Sequence, residues 1–319
     1  MSNLKSILTV KATPSLIMLF IAIITFYTLE REFLSPDNIK VILAVAPELG
    51  IMVLGVAILM ITGEFDLSVG SIFGLAPIVY DKLIEMDWNI WLALLAALLI
   101  CAAIGAVNCM ITLRLGIPSF ITTLGTMMIW RGAILLITQG FPPPFPKEAI
   151  PVKNVLAGQV GPIYLSLIWF AVILLILWVA LERTRFGNWT FATGGNVGAA
   201  RSMGINPNRV KLVNFMLVSF LAGLSGLIQA HRLGAILPSA GEGKELEAIA
   251  ASVIGGTSLS GGVGGVVGSA IGALLIPIID NGLVMARVSG YWFRAFIGTV
   301  LITAVVLNQF VRRKTRLMS

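Results

Sequence analysis

The stretch RTRFGNWTFATGGNVGAARSMGINPNRVK, Arg183–Lys211, is one of the few long polar interruptions in an otherwise apolar chain. It carries Arg183, Arg185, Arg201, Arg209 and Lys211 and no acidic residue. A short helix with readable ends lies within it. Asn196 can cap its start, and Ala199, Ala200 and Met203 form an apolar stripe. Gly204 can end it in the left-handed conformation open to glycine. Pro207 prevents simple continuation. A basic loop between apolar runs reads as the cytoplasmic side of a membrane protein. Such a loop either only fixes topology or offers its helix as a handle for another protein to push on.

The composition places the flanking runs in lipid. Hydrophobic residues make up 57% of the 319 residues and charged residues 12%. Soluble domains hold roughly 45–50% and about 25%. So few charges cannot cover a water-facing surface of this size. The net charge of +7 does not point to nucleic acid, because the basic residues gather in loops and are not interleaved with exposed aromatics. Cys101 and Cys109 lie on one apolar segment and read as small packing residues. No small-residue cleavage site follows the first apolar segment, which therefore reads as a retained span.

Apolar runs predict spans at residues 14–29, 39–62, 67–84, 88–114, 118–138, 164–181, 210–230, 263–279 and 291–311. A short helical segment at 245–254 cannot cross a core of about 30 Å at 1.5 Å per residue. It reads as a half-helix pointing into a protein-lined cavity. Counting it gives about ten crossings in one membrane domain, 1–319, with both termini cytoplasmic. Pro47 and Pro77 fall inside spans and point to kinks beside a cavity. Phe141–Pro151 is proline-rich and reads as an extended external loop. Gly261, Gly264, Gly265, Gly268 and Gly272 allow close backbone contact around the span that starts near 263. Asp280 and Asn281 are expected outside, beyond its end. Lys5, Lys11, Arg114, the five basic residues of the 183–211 loop, Arg312, Arg313, Lys314 and Arg316 all fall inside. They are more than half of the 22 basic residues, as the positive-inside rule requires.

Few polar groups interrupt the spans. Glu64 and Asp66 have apolar sequence on both sides, where charge is expensive. Either they face a water-filled path, or their segment surfaces at the cytoplasmic boundary. Asp66, ahead of Leu67, Ser68 and Val69, also reads as an N-cap. Arg131 lies in an apolar run and either snorkels to the outer interface or belongs to a path or structural ion pair. His231, the single histidine, reads as a hydrogen-bonded residue at the outer interface. No phosphate-loop sequence is present: Gly243-Lys244 is followed by Glu245 and lacks the upstream glycine. One histidine completes no hydrolytic triad or metal set, so no catalytic residue and no metal ligand is expected.

Four motifs in their order carry a resemblance over nearly the whole chain. They are GEFDLSVGS at 63–71, GIPSFITTLGTMMIWRG at 116–132, GGNVGAARSMGIN at 194–206 and ELEAIAASVIGGTSLSGGVGG at 245–265. The chain resembles the permease subunits of ribose-type ABC importers. That resemblance implies an all-α inner-membrane protein with kinked or discontinuous spans, moving a monosaccharide or similar polar solute inward. It implies a second permease copy, identical or not, two cytoplasmic ATPase subunits that bind ATP and Mg, and an external solute-binding protein. The cytoplasmic loop 183–211 becomes the coupling loop, with Asn196, Ala199, Ala200, Arg201, Met203 and Gly204 on the helix that meets the ATPase. Glu64, Asp66, Ser68, Asn108, Arg131, Gly255, Gly256 and Asn281 become candidates for the path or for structural motifs. The sequence has Gly63-Glu64-Phe65-Asp66 where the family commonly has Gly-Gly-Ile-Asp, and Asn108-Cys109 where it has Asn-Gly. Two other classes remain in view. A secondary transporter would use Glu64, Asp66 and Arg131 as an ion site, and an intramembrane enzyme would need a catalytic pair within the spans.

Overall fold

The computed structural model describes the backbone of residues 2–161 and 163–316, and side chains from 15 to 303 except 162, with 306. The side chains of Lys5, Lys11, Arg312, Arg313, Lys314 and Arg316, which carry part of the topology argument, lie outside the described residues. The chain is almost entirely helical. Helix α1 (Ser2–Leu29) is followed by a 3-10 turn, Arg31–Leu34. Helix α2 (Pro36–Ile61) begins with Pro36 at its first position and Ser35 as its cap, where the missing amide of proline costs nothing. Helices α3 (Val69–Glu85), α4 (Ile90–Leu115) and α5 (Ser119–Thr138) come next. Asn89 caps α4 by accepting from the amide of Trp91 at 2.9 Å.

The proline-rich segment is more ordered than an extended loop. A 3-10 turn, Lys147–Ala149, leads into helix α6 (Ile150–Leu156), because Pro151 in the first turn favours a helix as readily as an extended chain. An antiparallel pair of short strands follows, β1 (Gln159–Val160) and β2 (Ile163–Tyr164), with Gln159 opposite Tyr164. Next come α7 (Leu165–Arg183), α8 (Arg185–Gly195), α9 (Val197–Ser202), α10 (Pro207–Leu233), α11 (Lys244–Ile254), α12 (Val266–Met285) and α13 (Tyr291–Arg316).

Among the described residues, six helices, α2, α4, α5, α7, α10 and α12, are long and apolar enough to cross a membrane. The other four expected crossings fall on α1, α3, α11 and α13. Helix α2 is buried from Ala46 to Ile61 and apolar there except at Glu48, as a helix surrounded by others must largely be. Around it pack α10, α12, α7 and α11, and α10 in turn packs on α4 and α3. The outer faces of α4, α5 and α7 expose Leu99, Leu136 and Ile176, side chains suited to lipid. Close backbone approaches set the packing. A Cβ at Gly226 of α10 would strike the carbonyl of Phe73 in α3, and one at Gly105 of α4 would strike the carbonyl of Phe215. Small residues at such crossings allow the van der Waals contact that drives helix association in lipid.

Some expectations hold and others are corrected. Pro47 and Pro77 lie inside α2 and α3, as expected, and each helix continues past its proline, as α12 does past Pro277. The discontinuities lie elsewhere, in the segment before α3 and at α11. Asp280 and Asn281 sit inside α12, which continues to Met285. Gly261, Gly264 and Gly265 precede α12, while Gly268 and Gly272 lie on it and press against the carbonyls of Gly255 and Ala251. His231 is hydrogen-bonded, as expected, and lies two residues before the end of α10. It is fully buried, with Nδ1 2.7 Å from the carbonyl of Leu227 and its ring between Tyr80 and Phe145.

Candidate functional site

The basic stretch forms two short helices, α8 and α9, at the tip of the α7–α10 connection. Helix α9 has the expected ends. Asn196 is extended and its Oδ1 accepts from the amide of Ala199 at 3.0 Å. Gly204 has φ +78, and the amide of Ile205 donates back to the carbonyl of Ala200 at 3.0 Å. Asn206 then caps α10 by accepting from Arg209, with Pro207 at the first position. Only Ala200 of the helix is buried. Ala199, Arg201, Ser202 and Gly204 are exposed, and Met203 is 81% exposed. A groove beside it is lined by Phe186, Trp189, Ile205, Arg209 and Val213. The tip thus presents a protruding methionine, a half-exposed Trp189 and the cationic side chains Arg185, Arg201 and Arg209. Helix α8, unanticipated by the sequence reading, supplies half of this surface; Phe186, Trp189 and Thr190 on its polar background are its signal.

The root of the tip is fixed backbone to backbone. The amide of Gly262 donates to the carbonyl of Ile61 at 2.8 Å. A Cβ at Gly194 would strike that same carbonyl, one at Gly261 would lie 2.8 Å from Cα of Gly63, and one at Gly262 would lie 2.9 Å from Cα of Gly195. Gly63, Gly261 and Gly262 also have φ of +84, +76 and +74, which side-chain-bearing residues rarely adopt. Three chain segments therefore meet with no side chain between them: the end of α2, the end of α8 just before α9, and the loop between α11 and α12. Glu64 and Lys211 add an ion pair from the α2–α3 segment to the first turns of α10. Glu64 thereby lies on the same side of the molecule as the basic loop.

Asp66, Ser68 and Asn108 come together as one buried node. Asp66 Oδ1 accepts from the amide of Ser68 at 2.8 Å and from its hydroxyl at 2.6 Å. Asn108 Nδ2 donates to Ser68 Oγ at 2.8 Å and to Asp66 Oδ2 at 3.3 Å. All three side chains are buried. Asp66 is therefore not the N-cap of α3. That helix starts at Val69, and the carboxylate closes a turn one step earlier. The segment is laced to α5: Ser119 Oγ accepts from the amide of Phe65 at 3.1 Å and Thr123 Oγ1 from Leu67 at 3.0 Å. Ser71 Oγ donates to the carbonyl of Met127 at 2.8 Å. These partners climb α5 by one turn over residues 65–67 and by a second at Ser71, already in α3, so residues 65–68 are irregular backbone held against the first turns of α5. Such backbone is tolerated only where protein satisfies it.

Arg131 does not snorkel. Its Nη1 donates to the carbonyls of Pro238 at 3.0 Å and Ala240 at 3.1 Å, with Glu242 at 3.9 Å. It holds the α10–α11 connection, a structural role. Gly255 and Gly256 end α11, where Gly256 has φ +88 and the amide of Thr257 reaches the carbonyl of Ser252 at 3.0 Å. Helix α11 has 11 residues, about 16 Å of rise, and is packed among α2, α12 and α13. Asn281 joins neither cluster; its Oδ1 is buried without a partner among the described residues. One pair escaped the sequence reading. Glu48, fully buried in the middle of α2, pairs with Arg232 and accepts from Gln229 Nε2 at 3.0 Å. A lone carboxylate in the run AVAPELGIMV, 44–53, was its signal, by the rule that flagged Glu64.

A helical body with lipid-facing flanks, irregular buried segments and a basic protruding tip defines a multi-pass membrane protein. Comparison with known proteins narrows the class. The model of a family described as the permease component of the branched-chain amino acid transport system matches residues 38–305. The chain is 37% identical to the ribose import permease protein RbsC of Escherichia coli K12, over 92% of both chains. It is 33% identical to the xylose/arabinose import permease protein XylH of Sulfolobus acidocaldarius, over 90% of this chain and 82% of the other. To the autoinducer 2 import system permease protein LsrC of Shigella flexneri it is 33% identical, over 89% and 82%. No solved structure matches. The chain belongs to this family of ABC-importer permeases and is similar to its ribose-type members, as the four motifs implied.

Proposed function

We propose that the chain is the membrane-spanning subunit of a bacterial inner-membrane ABC importer for a small polar solute, a monosaccharide or polyol. The observation that carries this reading is the architecture around α9. A capped, exposed helix stands in a basic loop, and its root touches both irregular segments of the membrane body. A push on Met203 and Arg201 reaches the end of α2 and the α11–α12 loop without compressible side chains in between. Cytoplasmic ATPase subunits, holding ATP and Mg, supply that push by differing in shape with and without nucleotide. The membrane body then alternates between two openings, shifted by each ligand only through its differential affinity for the two states. Ten crossings with both termini inside, and pairing with a second permease copy, complete the account. The names of the relatives support a pentose-sized sugar. An external solute-binding protein delivers it and sets most of the specificity.

The test is purification of the tagged chain from its native membrane. Recovery with a stoichiometric ATPase that carries a phosphate loop supports the reading. A homogeneous chain that transports under an ion gradient alone overturns it in favour of a secondary transporter.

A further inference from the structure

Charged side chains gather on one face of the membrane body, away from the tip. Asp280 is exposed on α12, five residues before that helix ends, about 8 Å along its axis. Glu242 is 60% exposed and lies 3.9 Å from Arg131. Arg131 is seven residues before the end of α5, about 10 Å along that axis. Both helices have 20 residues, barely the length that spans a core of about 30 Å. Both sites therefore lie within the length of helices that cross the membrane, not in the loops beyond them. Between them lie Lys244 and Glu247, 3.8 Å apart and one-fifth exposed, with Asp280 and Arg294 within electrostatic reach of Glu247. An open groove between α11 and α13 is bounded by Glu242, Leu246, Glu247, Phe293 and Arg294.

Hydrocarbon does not tolerate such a face, because charge at that depth is expensive unless it meets water or a partner. The outer faces of α4, α5 and α7 expose apolar side chains at the same level, so the contrast lies within the molecule. We propose that the start of α11, Asp280 of α12 and Arg294 of α13 line the aqueous path along which the polar solute crosses. The proposal rests on the transport reading above. The partly and fully exposed carboxylates Glu242, Glu247 and Asp280 are matched by Arg131, Lys244 and Arg294, while Glu245 turns inward against Gly70. A balanced face selects no ion by its field. It offers both acceptors and donors, which suits a neutral polyhydroxylated solute.

The test uses the complete complex with its ATPase and binding protein in proteoliposomes. Asp280→Cys, Glu242→Cys and the lipid-facing control Leu99→Cys are exposed to a charged, membrane-impermeant thiosulfonate. The wild type serves as the blank, since Cys101 and Cys109 are buried. The proposal predicts that positions 280 and 242 react about tenfold or more faster than position 99. It predicts too that labelling lowers the ATP-driven uptake left in at least one of these variants. Reaction no faster than at position 99 overturns it, because the face is then covered by lipid or dry protein. Fast reaction with uptake unchanged also overturns it, because the face is then wet but off the path. Labelling is read without transport, so a variant that loses uptake still reports. Failure of the transport reading shows separately, as a wild-type complex that takes up no solute with ATP.

Discussion

Two buried polar groups are read most sharply one residue at a time. Asp66 satisfies the amide and hydroxyl of Ser68 and one proton of Asn108 where no solvent reaches. Removing it strands those donors at about 1–3 kcal/mol each. Asp66→Ala should therefore lower the unfolding midpoint in detergent and abolish uptake. Asn108→Ala should cost less, and the double variant less than the sum of the two, with a coupling of about 0.5–3 kcal/mol. Additive losses in a thermal-shift cycle would show that the node is not one unit. Glu48 and Arg232 give the opposite lesson. Arg232→Ala leaves a carboxylate buried in α2 without its partner, and breaking such a pair costs about 3–5 kcal/mol. Replacing both by apolar residues of similar size should be far milder, since the desolvation of two charges is avoided. A double variant as unstable as the single one would contradict that. Asp66 was visible in the sequence as a charge in apolar surroundings, and Ser68 and Asn108 through the motifs that carry the resemblance. Their bonds were not, since Asn108 lies 40 residues from Ser68 and only packing of α4 on α3 brings them together.

Helices α8 and α9 are the elements on which the proposed transmission turns. In α9 the caps were legible because capping is local chemistry: Asn196, Gly204 and Pro207 act on amides and carbonyls within a few residues. Gly204→Val forces a β-branched side chain into φ +78, a conformation costing about 1–2 kcal/mol for such residues. It should fray the helix and uncouple uptake from ATP hydrolysis while the chain still inserts. Arg201→Glu should do the same through charge, without touching the backbone. Wild-type uptake in both variants would remove α9 from the mechanism. Gly262→Ala tests the root. It should retain co-purified ATPase and basal hydrolysis but lose stimulation by the solute-loaded binding protein, since the added Cβ meets Gly195 at 2.9 Å. Normal stimulation would show that the contact transmits nothing. The junction itself was not legible. The glycines of 194–195 and 261–262 were seen as separate motifs, and nothing local to either places it against Gly63.

At the scale of the whole molecule, the apolar runs were enough to place the long helices, though not α6 or α8, since lipid leaves the backbone little alternative. What they could not settle was depth. Residues 65–68 were equally consistent with a surface loop, and only the bonds to Ser119 and Thr123 show that protein satisfies their backbone. Likewise the span expected to end at 279 continues as α12 for six more residues, so Asp280 lies on the helix and not past its end. The central claim is that the tip at α9 meets the ATPase and passes its motion inward. A photoreactive amino acid in place of Met203, irradiated in native membranes, tests it most directly. The account predicts a cross-link to a cytoplasmic subunit bearing a phosphate loop, formed at position 203 and absent at lipid-facing position 99. Cross-links from position 203 only to lipid, or only to another copy of this chain, would contradict it.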